Sequence, residues 1–493
     1  MGIPKSRSIS RRTVLGAGIA AAVGVLIVDH ASAAGVSFKL ILGRPTLNSI
    51  ALSVASDSAS TVYVEYGYSK TKLVFKTKAQ NLTIDQPVVF EVTGLKSNST
   101  VYYRLRSKGS ASSSFEAGST FSFKLGKTSG KAFCFTLQGD THPERAGKMF
   151  NADLYSVAMR NIQSQKPDFH ILLGDDFSID PLIDKGQATA ANIEKIYKTH
   201  RDWLSIAGAT VPIFLVNGNH EQAAQYLVDG TSSNPAVLAG QARIKYFPLP
   251  ITNSFYSVDK TTIDFVGNPR DYYSWNWGDA TFITIDPYWH SKNPVDNVAG
   301  VTSDENASAK KSGAAGQKTT DLWQIGIGDD QYNWLKETLE KSKSKYIFVF
   351  AHHVMGTGRG AVEVSEFYEW GGKDPKGKTT FAAQRPNWSL PIHDLFVKHG
   401  VSVFFQGHDH IFVTQERDGV IYQSMPNPAD DTFTIFNSDA YKTGTKAPNS
   451  GHVRVSVNSS AAKVEYFLAA RPQDSDRKNL ELAHSYRVLP RKS

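Results

Sequence analysis

Five apolar runs between residues 133 and 405 each end in a short polar motif, and this repeated pattern constrains the fold more than any other feature. Each motif places aspartate, asparagine or histidine directly after a glycine or an alanine. Near-continuous apolar strands with helices between them indicate a sheet covered on both faces. Ligands of such sheets gather at the carboxyl ends of the strands, which is where the motifs fall. The motifs are Gly139-Asp140-Thr141-His142, Gly174-Asp175-Asp176, Gly218-Asn219-His220-Glu221, Ala351-His352-His353 and Gly407-His408-Asp409-His410.

The surrounding sequence supports an α/β domain over residues 131–470. Segments with helical periodicity lie between the apolar runs and would cover the sheet. The predicted strands are 133–137, 169–173, 213–216, 282–285, 347–350 and 401–405. The predicted helices are 149–164, 192–206, 329–341 and 391–398.

The last motif has spacing suited to metal binding. In an extended backbone, residues i and i+2 point to the same side, so His408 and His410 would face one way. Two imidazoles placed in this manner reach one metal ion, or one each of two neighbouring ions. Imidazole suits zinc, iron, copper and nickel. Taken alone, the pair is also compatible with a surface turn that holds two histidines.

Taken together, the five motifs resemble the calcineurin-like metallophosphoesterase family, including its purple acid phosphatase branch. The resemblance covers roughly residues 131–468 and implies a four-layer α/β/β/α sandwich. It also implies two bound metal ions, with the carboxylate of Asp175 bridging them. The implied ligands are Asp140, His142 and His410 for one ion, and Asn219, His352 and His408 for the other.

The same resemblance implies a mechanism. A metal-bridging hydroxide would attack the phosphorus, which makes the bridging Asp175 a catalytic residue. His220 matches the family's histidine beside the leaving group and is the expected general acid. The purple branch has a tyrosine three residues after the bridging aspartate, whereas this chain has Ser178, so the tyrosinate-to-iron colour should be absent. The metal pair therefore stays open between Zn, Mn, Fe and Ca.

Two substrate contacts are expected near the fourth motif. The family often has proline at the position of Val354 and a metal ligand two residues earlier, which favours His352 over His353 as the ligand. His353 is then a candidate contact for the substrate. The insertion over residues 356–388 directly follows this motif, so Arg359 could reach a phosphate oxygen with its planar guanidinium. The alternative is a solvent-exposed arginine in a loop. A second insertion, over residues 271–328, is expected to shape the pocket as well.

Residues 36–125 have a different pattern. Short β-rich runs recur between turn residues, which predicts an antiparallel sandwich. The segments Arg44-Pro45-Thr46, Tyr66-Gly67, Gly94-Leu95 and Tyr102-Tyr103-Arg104 resemble the fibronectin-type-III-like module found before many secreted phosphatase domains. We expect a packing partner or spacer, with binding to carbohydrate or cell wall as the alternative. A linker over residues 126–130 follows, and residues 471–493 read as a charged tail.

The first 33 residues read as a signal peptide of the twin-arginine type. Lys5 and Arg7 lead into Ser10-Arg11-Arg12-Thr13-Val14-Leu15-Gly16, an apolar segment follows, and Ala31-Ser32-Ala33 is a cleavage pattern. This predicts that the twin-arginine export machinery is a partner and that the protein is periplasmic or extracellular in a bacterium. No membrane span is expected in the mature protein. Cys134 is the only cysteine, so no internal disulfide forms.

The formal net charge of +8 is spread without a dense lysine or arginine block, so nucleic-acid binding is not indicated. The sequence thus predicts an exported two-metal hydrolase of phosphate esters, with a phosphomonoesterase as the first choice. A phosphodiesterase for nucleotides or lipid head groups is the nearest alternative. A non-catalytic protein that binds envelope polymers is the alternative from another class.

Overall fold

A computed structural model describes residues 31–33, 36–109, 112–221, 229–291, 321–354 and 358–491. Residues 1–30 of the expected signal peptide lie outside the described residues, as does the polar stretch 292–320 of one insertion. Ala31–Ala33, at the expected cleavage site, pairs antiparallel with Val36–Phe38. No helix in the described ranges is long and apolar enough to span a membrane.

The N-terminal domain is an all-β sandwich, as predicted. One sheet has the order β1-β2-β3-β7 and the other β10-β8-β4-β5, with β6 on β4 and β9 on β8. Alternate residues of β8 point inward, so Val101, Tyr103 and Leu105 are buried while Tyr102 and Arg104 are half-buried. The specific likeness to a fibronectin-type-III module stays a prediction. The strands are β1 (Ala31–Ala33), β2 (Val36–Gly43), β3 (Ile50–Ser56), β4 (Ser60–Gly67), β5 (Phe75–Lys76), β6 (Gln80–Leu82), β7 (Val88–Val92), β8 (Thr100–Gly109), β9 (Glu116–Ala117) and β10 (Phe121–Lys124).

The second domain contains two further sheets. Their strands are β11 (Phe133–Gln138), β12 (Phe169–Leu172), β13 (Ile213–Leu215), β14 (Tyr256–Val258), β15 (Tyr273–Trp277), β16 (Ala280–Thr284), β17 (Tyr346–Phe350), β18 (Val403–Gln406), β19 (Phe412–Arg417), β20 (Val420–Ser424), β21 (Thr445–Ala447), β22 (Gly451–Val457), β23 (Ala462–Leu468) and β24 (Leu482–Val488). The first sheet has the order β13-β12-β11-β22-β23-β24 and the second β14-β15-β16-β17-β18-β20-β19-β21. In both, the strands that precede the polar motifs run parallel to each other.

Aromatic side chains fill the space between these two sheets. Phe135 and Phe169 stack within the first sheet, with ring centroids 5.4 Å apart. Phe282 and Phe348 approach Phe135 from the second sheet at 5.2 and 5.4 Å. All four rings are buried, and burying one such side chain contributes about 1.5–3 kcal/mol. The two sheets therefore pack face to face around one core.

Helices cover the outer faces, which confirms the four-layer α/β/β/α architecture. Helices α1, α3 and α4 pack on the first sheet, and α5 and α8 pack on the second. The helices are α1 (Ala152–Gln165), α2 (Asp180–Asp184), α3 (Ala190–Gly208), α4 (Pro235–Tyr246), α5 (Gly328–Lys341), α6 (Tyr368–Gly371), α7 (Phe381–Gln384) and α8 (Ile392–His399). Short 3₁₀ turns lie at Pro143–Arg145, Leu322–Gln324, Ala361–Glu363 and Ser438–Ala440.

Capping residues set the ends of the helices. Helix α1 begins three residues later than periodicity predicts because the Asn151 side chain accepts hydrogen bonds from the amides of Asp153 and Leu154. Helix α4 was not predicted. Asn234 caps it and Pro235 opens it, but its buried side includes Ala236, Ala239 and Gly240, so it lacks a strong apolar stripe.

Buried polar contacts join the sandwich to the second domain. The Tyr103 hydroxyl donates to the carbonyl of Ala209 at 2.6 Å, and the Tyr256 hydroxyl donates to the carbonyl of Pro45. The charged segment expected as a tail contributes the edge strand β24, and Arg491 beyond it donates to the carbonyls of Ser344 and His399. The sandwich and residues 482–491 are thus both held against the rest of the second domain.

Candidate metal centre

The first group of predicted metal ligands meets beside β11 and β18. The Nε2 atoms of His142 and His410 lie 3.1 Å apart. Asp140 Oδ2 lies 3.4 Å from His410 Nε2, and Asp175 Oδ2 lies 3.5 Å from His142 Nε2. The structure therefore brings together the three residues that were expected around one ion, with Asp175 beside them.

The second group lies on the other side of the same Asp175 oxygen. Asn219 Oδ1 is 3.0 Å from His352 Nε2 and 3.2 Å from His408 Nδ1. His352 Nε2 is in turn 3.0 Å from Asp175 Oδ2. One carboxylate oxygen thus contacts both groups, which is the position that a bridging ligand requires.

The chemistry of this set fits metal ions. Burial lowers the pKa of His142, His408 and His410 well below the usual range, so these imidazoles are neutral, as a ligand must be. Burial also raises the pKa of Asp140 to about 7, and Asp140 Oδ2 makes no hydrogen bond within the described residues. Buried carboxylates such as Asp140 and Asp175 need neighbouring positive charge, which metal ions held by the neutral imidazoles would supply.

The pKa of His352 likewise indicates that positive charge is needed between the two aspartates. Burial lowers its pKa, but Asp175 and Asp140 raise it more, and the result is about 10. A protonated imidazole thus supplies the positive charge between the two aspartates. Two metal ions bound between the groups would supply that charge and leave His352 neutral and free to ligate.

Four of the candidate ligands have a left-handed backbone. The φ angles are 48° for His142, 58° for Asp175, 68° for His408 and 53° for His410. Such angles are uncommon outside glycine and cluster at functional sites, where surrounding structure holds them. They turn the side chains out of the strand direction and into the space between the loops.

Two motif glycines allow the loops after β12 and β13 to touch. A Cβ atom on Gly218 would lie 2.1 Å from Asp175 Oδ1, and one on Gly174 would lie 2.4 Å from the Gly218 amide nitrogen. Both contacts are too short for any side chain. Glycine is therefore required at both positions because the two loops approach closely. This steric requirement is stricter than the need for a sharp turn in the backbone.

Glu221, which sequence reasoning left without a role, ties the same two loops together. Its buried carboxylate accepts hydrogen bonds from the amides of Asp175 and Gly218 at 3.1 and 2.8 Å. It also accepts from the amides of Asp176 and Phe177 at 2.7 and 3.1 Å. Four N–H groups converging on one carboxylate fix the candidate bridging residue relative to Asn219 and His220.

His220 lies at the open edge of the first group. Its ring contacts the carboxylate of Asp180 through Nδ1, and its Nε2 lies 3.8 Å from Asp175 Oδ2 and 3.4 Å from an Arg145 nitrogen. Burial lowers its pKa, but Asp175 and Asp180 raise it to about 9. The imidazole is therefore protonated near neutral pH. Asp180 and Arg145 are further site residues that the motifs did not reveal.

The two expected substrate contacts have partners of their own. The His353 ring stacks on His408 with centroids 4.7 Å apart, and its Nδ1 lies 3.1 Å from the Tyr288 hydroxyl. Arg359 donates to the carbonyl of His408 at 2.5 Å and lies 3.5 Å from Asp409. Both residues adjoin the second ligand group, and the contacts of Arg359 also brace the loop that carries His408 and His410. Their contact with substrate stays a prediction.

A family model described as calcineurin-like phosphoesterase matches residues 135–412, more than half of the chain. All five motifs lie in that stretch. The chain belongs to the calcineurin-like phosphoesterase family. Members are metal-dependent phosphoester hydrolases, so the predicted enzyme class is confirmed, and the alternative of a non-catalytic binding protein is not supported.

Solved structures are similar over both domains. The structure of PhoD covers 92% of this chain and 90% of its own, with a TM-score of 0.61 and 15% identity. The purple acid phosphatase PPD1 from yellow lupin seeds covers 92% of this chain and 74% of its own, with a TM-score of 0.57 and 16% identity. At these identities the likeness concerns the fold. No curated protein sequence matches the chain.

Proposed function

We propose that this member of the family is an exported phosphomonoesterase. The observation that carries the site assignment is the arrangement of two ligand groups on either side of Asp175 Oδ2. Asp140, His142 and His410 would hold one ion, and Asn219, His352 and His408 the other. When bound, two such ions would acidify a water molecule and neutralise the charge that develops in an in-line displacement.

The protein's own groups would handle the leaving oxygen. His220 lies at the edge of the site with its ring held by Asp180 through Nδ1, so its Nε2 is placed to donate a proton to the departing alkoxide. Asp180 holds the imidazole through Nδ1, which leaves Nε2 directed towards Asp175 and Arg145. Asp180 is therefore a positioning residue, in the same sense that a carboxylate orients histidine in other hydrolases.

The choice of monoester rests on the likeness of both domains to a structure named as a purple acid phosphatase. Export rests on the twin-arginine pattern over residues 10–16 and the cleavage pattern at 31–33. The N-terminal sandwich would serve as a packing partner, since Tyr103 and Tyr256 link it to the second domain through buried hydrogen bonds.

The test compares hydrolysis of nitrophenyl phosphate with that of bis-nitrophenyl phosphate. The chain without residues 1–33 would be stripped of metal and loaded in turn with Zn, Mn, Fe and Ca. We expect faster turnover of the monoester with at least one metal and no turnover without metal. Faster turnover of the diester would assign the site to phosphodiester substrates instead.

A further inference from the structure

A second cluster of potential metal ligands lies at the edge strands of the second sheet, apart from the candidate metal centre. Asp259 follows β14, Asp271 precedes β15, and His290 lies in the loop after β16. The side chains of both aspartates are fully buried, and that of His290 is 8% exposed. Their ligand atoms all lie within 4.8 Å of one another. Three separate segments of the chain thus bring two carboxylates and an imidazole together.

The imidazole can serve only one of these carboxylates. His290 Nε2 lies 2.9 Å from Asp271 Oδ2, a hydrogen-bond distance, and 3.6 Å from Asp259 Oδ2. A ring nitrogen carries one hydrogen, so the hydrogen bond to Asp271 leaves Asp259 Oδ2 without a donor. That oxygen is buried and makes no hydrogen bond among the described residues. A buried acceptor without a partner is unfavourable, and this one points into the cluster.

Buried carboxylates outnumber cationic groups in this part of the interior. Asp286, which acts electrostatically on the cluster, is a third buried carboxylate, and its Oδ2 lacks a hydrogen-bond partner in the described part of the chain. Burial, and then the charge of Asp271, raise the pKa of Asp286 to about 8. Arg243 also acts on Asp271 and Asp286, but its hydrogen bonds go to backbone carbonyls. Three carboxylates therefore share one imidazole and one arginine.

We propose that Asp259, Asp271 and His290 bind a divalent cation, Zn²⁺ or Mn²⁺, in addition to the ions of the candidate metal centre. Carboxylate ligands suit Mn²⁺, and imidazole suits Zn²⁺. Ligand atoms at about 2.1 Å from a tetrahedral ion lie about 3.4 Å from each other. The two separations from His290 Nε2, 2.9 and 3.6 Å, bracket this value. The cation contacts Asp259 Oδ2 as well as the two groups that already meet, and water completes its coordination.

The role of this ion is structural. Its ligands fix the loop after β16 to the hairpin of β14 and β15, and the aspartate side chains are closed to solvent. The same loop carries Tyr288, whose hydroxyl lies 3.1 Å from His353 Nδ1 beside the candidate metal centre. The cation therefore supports the surroundings of the main site without taking part in the reaction.

Counting the bound ions tests the proposal. The protein and its Asp259→Asn variant would be equilibrated with Zn²⁺ or Mn²⁺, freed of loosely bound metal and examined by native mass spectrometry. We expect Asp259→Asn to hold one ion fewer per chain with at least one of the two metals, because a neutral amide replaces a charged ligand. Equal counts with both metals would overturn the proposal and leave only an ion pair between His290 and Asp271.

Asp264 provides the matched control. It is exposed and lies in the same loop between β14 and β15. Asp264→Asn removes the same charge without touching the cluster, so its ion count should equal that of the unchanged protein. A loss of one ion in Asp264→Asn as well would assign the effect to the charge of the loop and overturn the site.

The Asp175→Asn background separates this cluster from the candidate metal centre. Addition of Asp259→Asn to Asp175→Asn should still remove one ion, since the two sites share no ligand. The readout is a difference between two proteins, so it requires neither a loaded main centre nor hydrolysis of any phosphate ester. Failure of the proposed function therefore leaves this test intact.

Thermal unfolding guards against a variant that loses metal through misfolding. In Asp175→Asn, saturation with the effective metal should raise the thermal midpoint by about 2–3 °C. His290→Gln replaces the imidazole by an amide that can still donate to Asp271, and its addition to Asp175→Asn should reduce that rise while the far-ultraviolet circular dichroism is retained. An equal rise in both proteins would overturn the proposal.

Discussion

Two loop regions of the candidate metal centre are each braced by one buried carboxylate, but the two braces are built differently. At the loops after β12 and β13, which carry Asp175 and Asn219, Glu221 accepts four hydrogen bonds, all from backbone amides. At the loop after β18, which carries His408 and His410, Asp409 is held mainly by side chains, namely Arg359 and the Tyr441 hydroxyl, together with the amide of Gly360. The first brace fixes backbone position, whereas the second depends on the identity of residues far away in sequence.

The difference teaches which loops tolerate change. Glu221 contacts only backbone amides, so its brace depends on the close approach that Gly174 and Gly218 allow and not on the side chains of Asp176 and Phe177. The loop of His408 and His410 relies instead on Arg359 and Tyr441, so substitutions there should weaken both ligand groups in steps. Three substitutions examine this comparison.

The largest effect should come from Asp175→Asn, which acts on both ligand groups at once. Asp175 Oδ2 contacts His142 in the first group and His352 in the second. A neutral amide removes the charge that holds two cations together, and hydrolysis should fall by about 10³-fold or more. Metal content, measured by mass spectrometry, should fall while the far-ultraviolet circular dichroism is retained. Hydrolysis at the original rate would refute the bridging assignment.

Glu221→Gln should have the next effect, on the loops that carry Asp175 and Asn219. A glutamine side chain offers one acceptor oxygen and one NH₂ group, so about two of the four amides lose their acceptor. We expect a loss of about 2–6 kcal/mol in the free energy of unfolding, at about 1–3 kcal/mol for each buried donor. Urea denaturation measures it. Glu340, an exposed residue that forms an ion pair with Lys336, is the matched control. Glu340→Gln should change the free energy of unfolding by less than about 0.5 kcal/mol.

Arg359→Ala should have the smallest effect, and Tyr441→Phe serves as its reference. Both substitutions remove one contact of Asp409. If Arg359 also binds phosphate, Arg359→Ala should lower kcat/KM by about 10–100-fold, the loss of a charge-assisted hydrogen bond, against about threefold to tenfold for Tyr441→Phe. Equal losses in steady-state kinetics would assign Arg359 to bracing alone.

The sequence predicted the layers because they depend on local pattern. An apolar run followed by glycine or alanine and a polar side chain marks a strand end, and the motifs of His352 and His408 follow the neighbouring strands β17 and β18 in this way. The assignment of these residues as metal ligands came from the family resemblance and stays a prediction. The charged segment around β24 was harder to interpret, since the inward side of this edge strand carries His484 and Tyr486 and is only half-buried, which weakens the apolar alternation.

The supporting residues of the site could not be predicted because they act across long distances in sequence. Asp180 meets His220 from 40 residues away, and Tyr441 meets Asp409 from 32 residues away. Nothing in the motif of Glu221 shows that four backbone amides will converge on it. The left-handed angles of His408 and His410 likewise follow from packed loops and not from the preferences of histidine.

The position of β11 has a consequence for the order in which the molecule forms. This strand carries Asp140 and His142 at its end, yet one of its two neighbours in the sheet is β22, more than 300 residues later. Chains with such distant pairings fold slowly, because the loop between them must close before the contact stabilises it. During synthesis, one edge of β11 has no hydrogen-bonding partner strand until residues 451–457, which form β22, emerge from the ribosome. We therefore expect the loop that carries Asp140 and His142 to be among the first parts of the second domain made and among the last to become rigid.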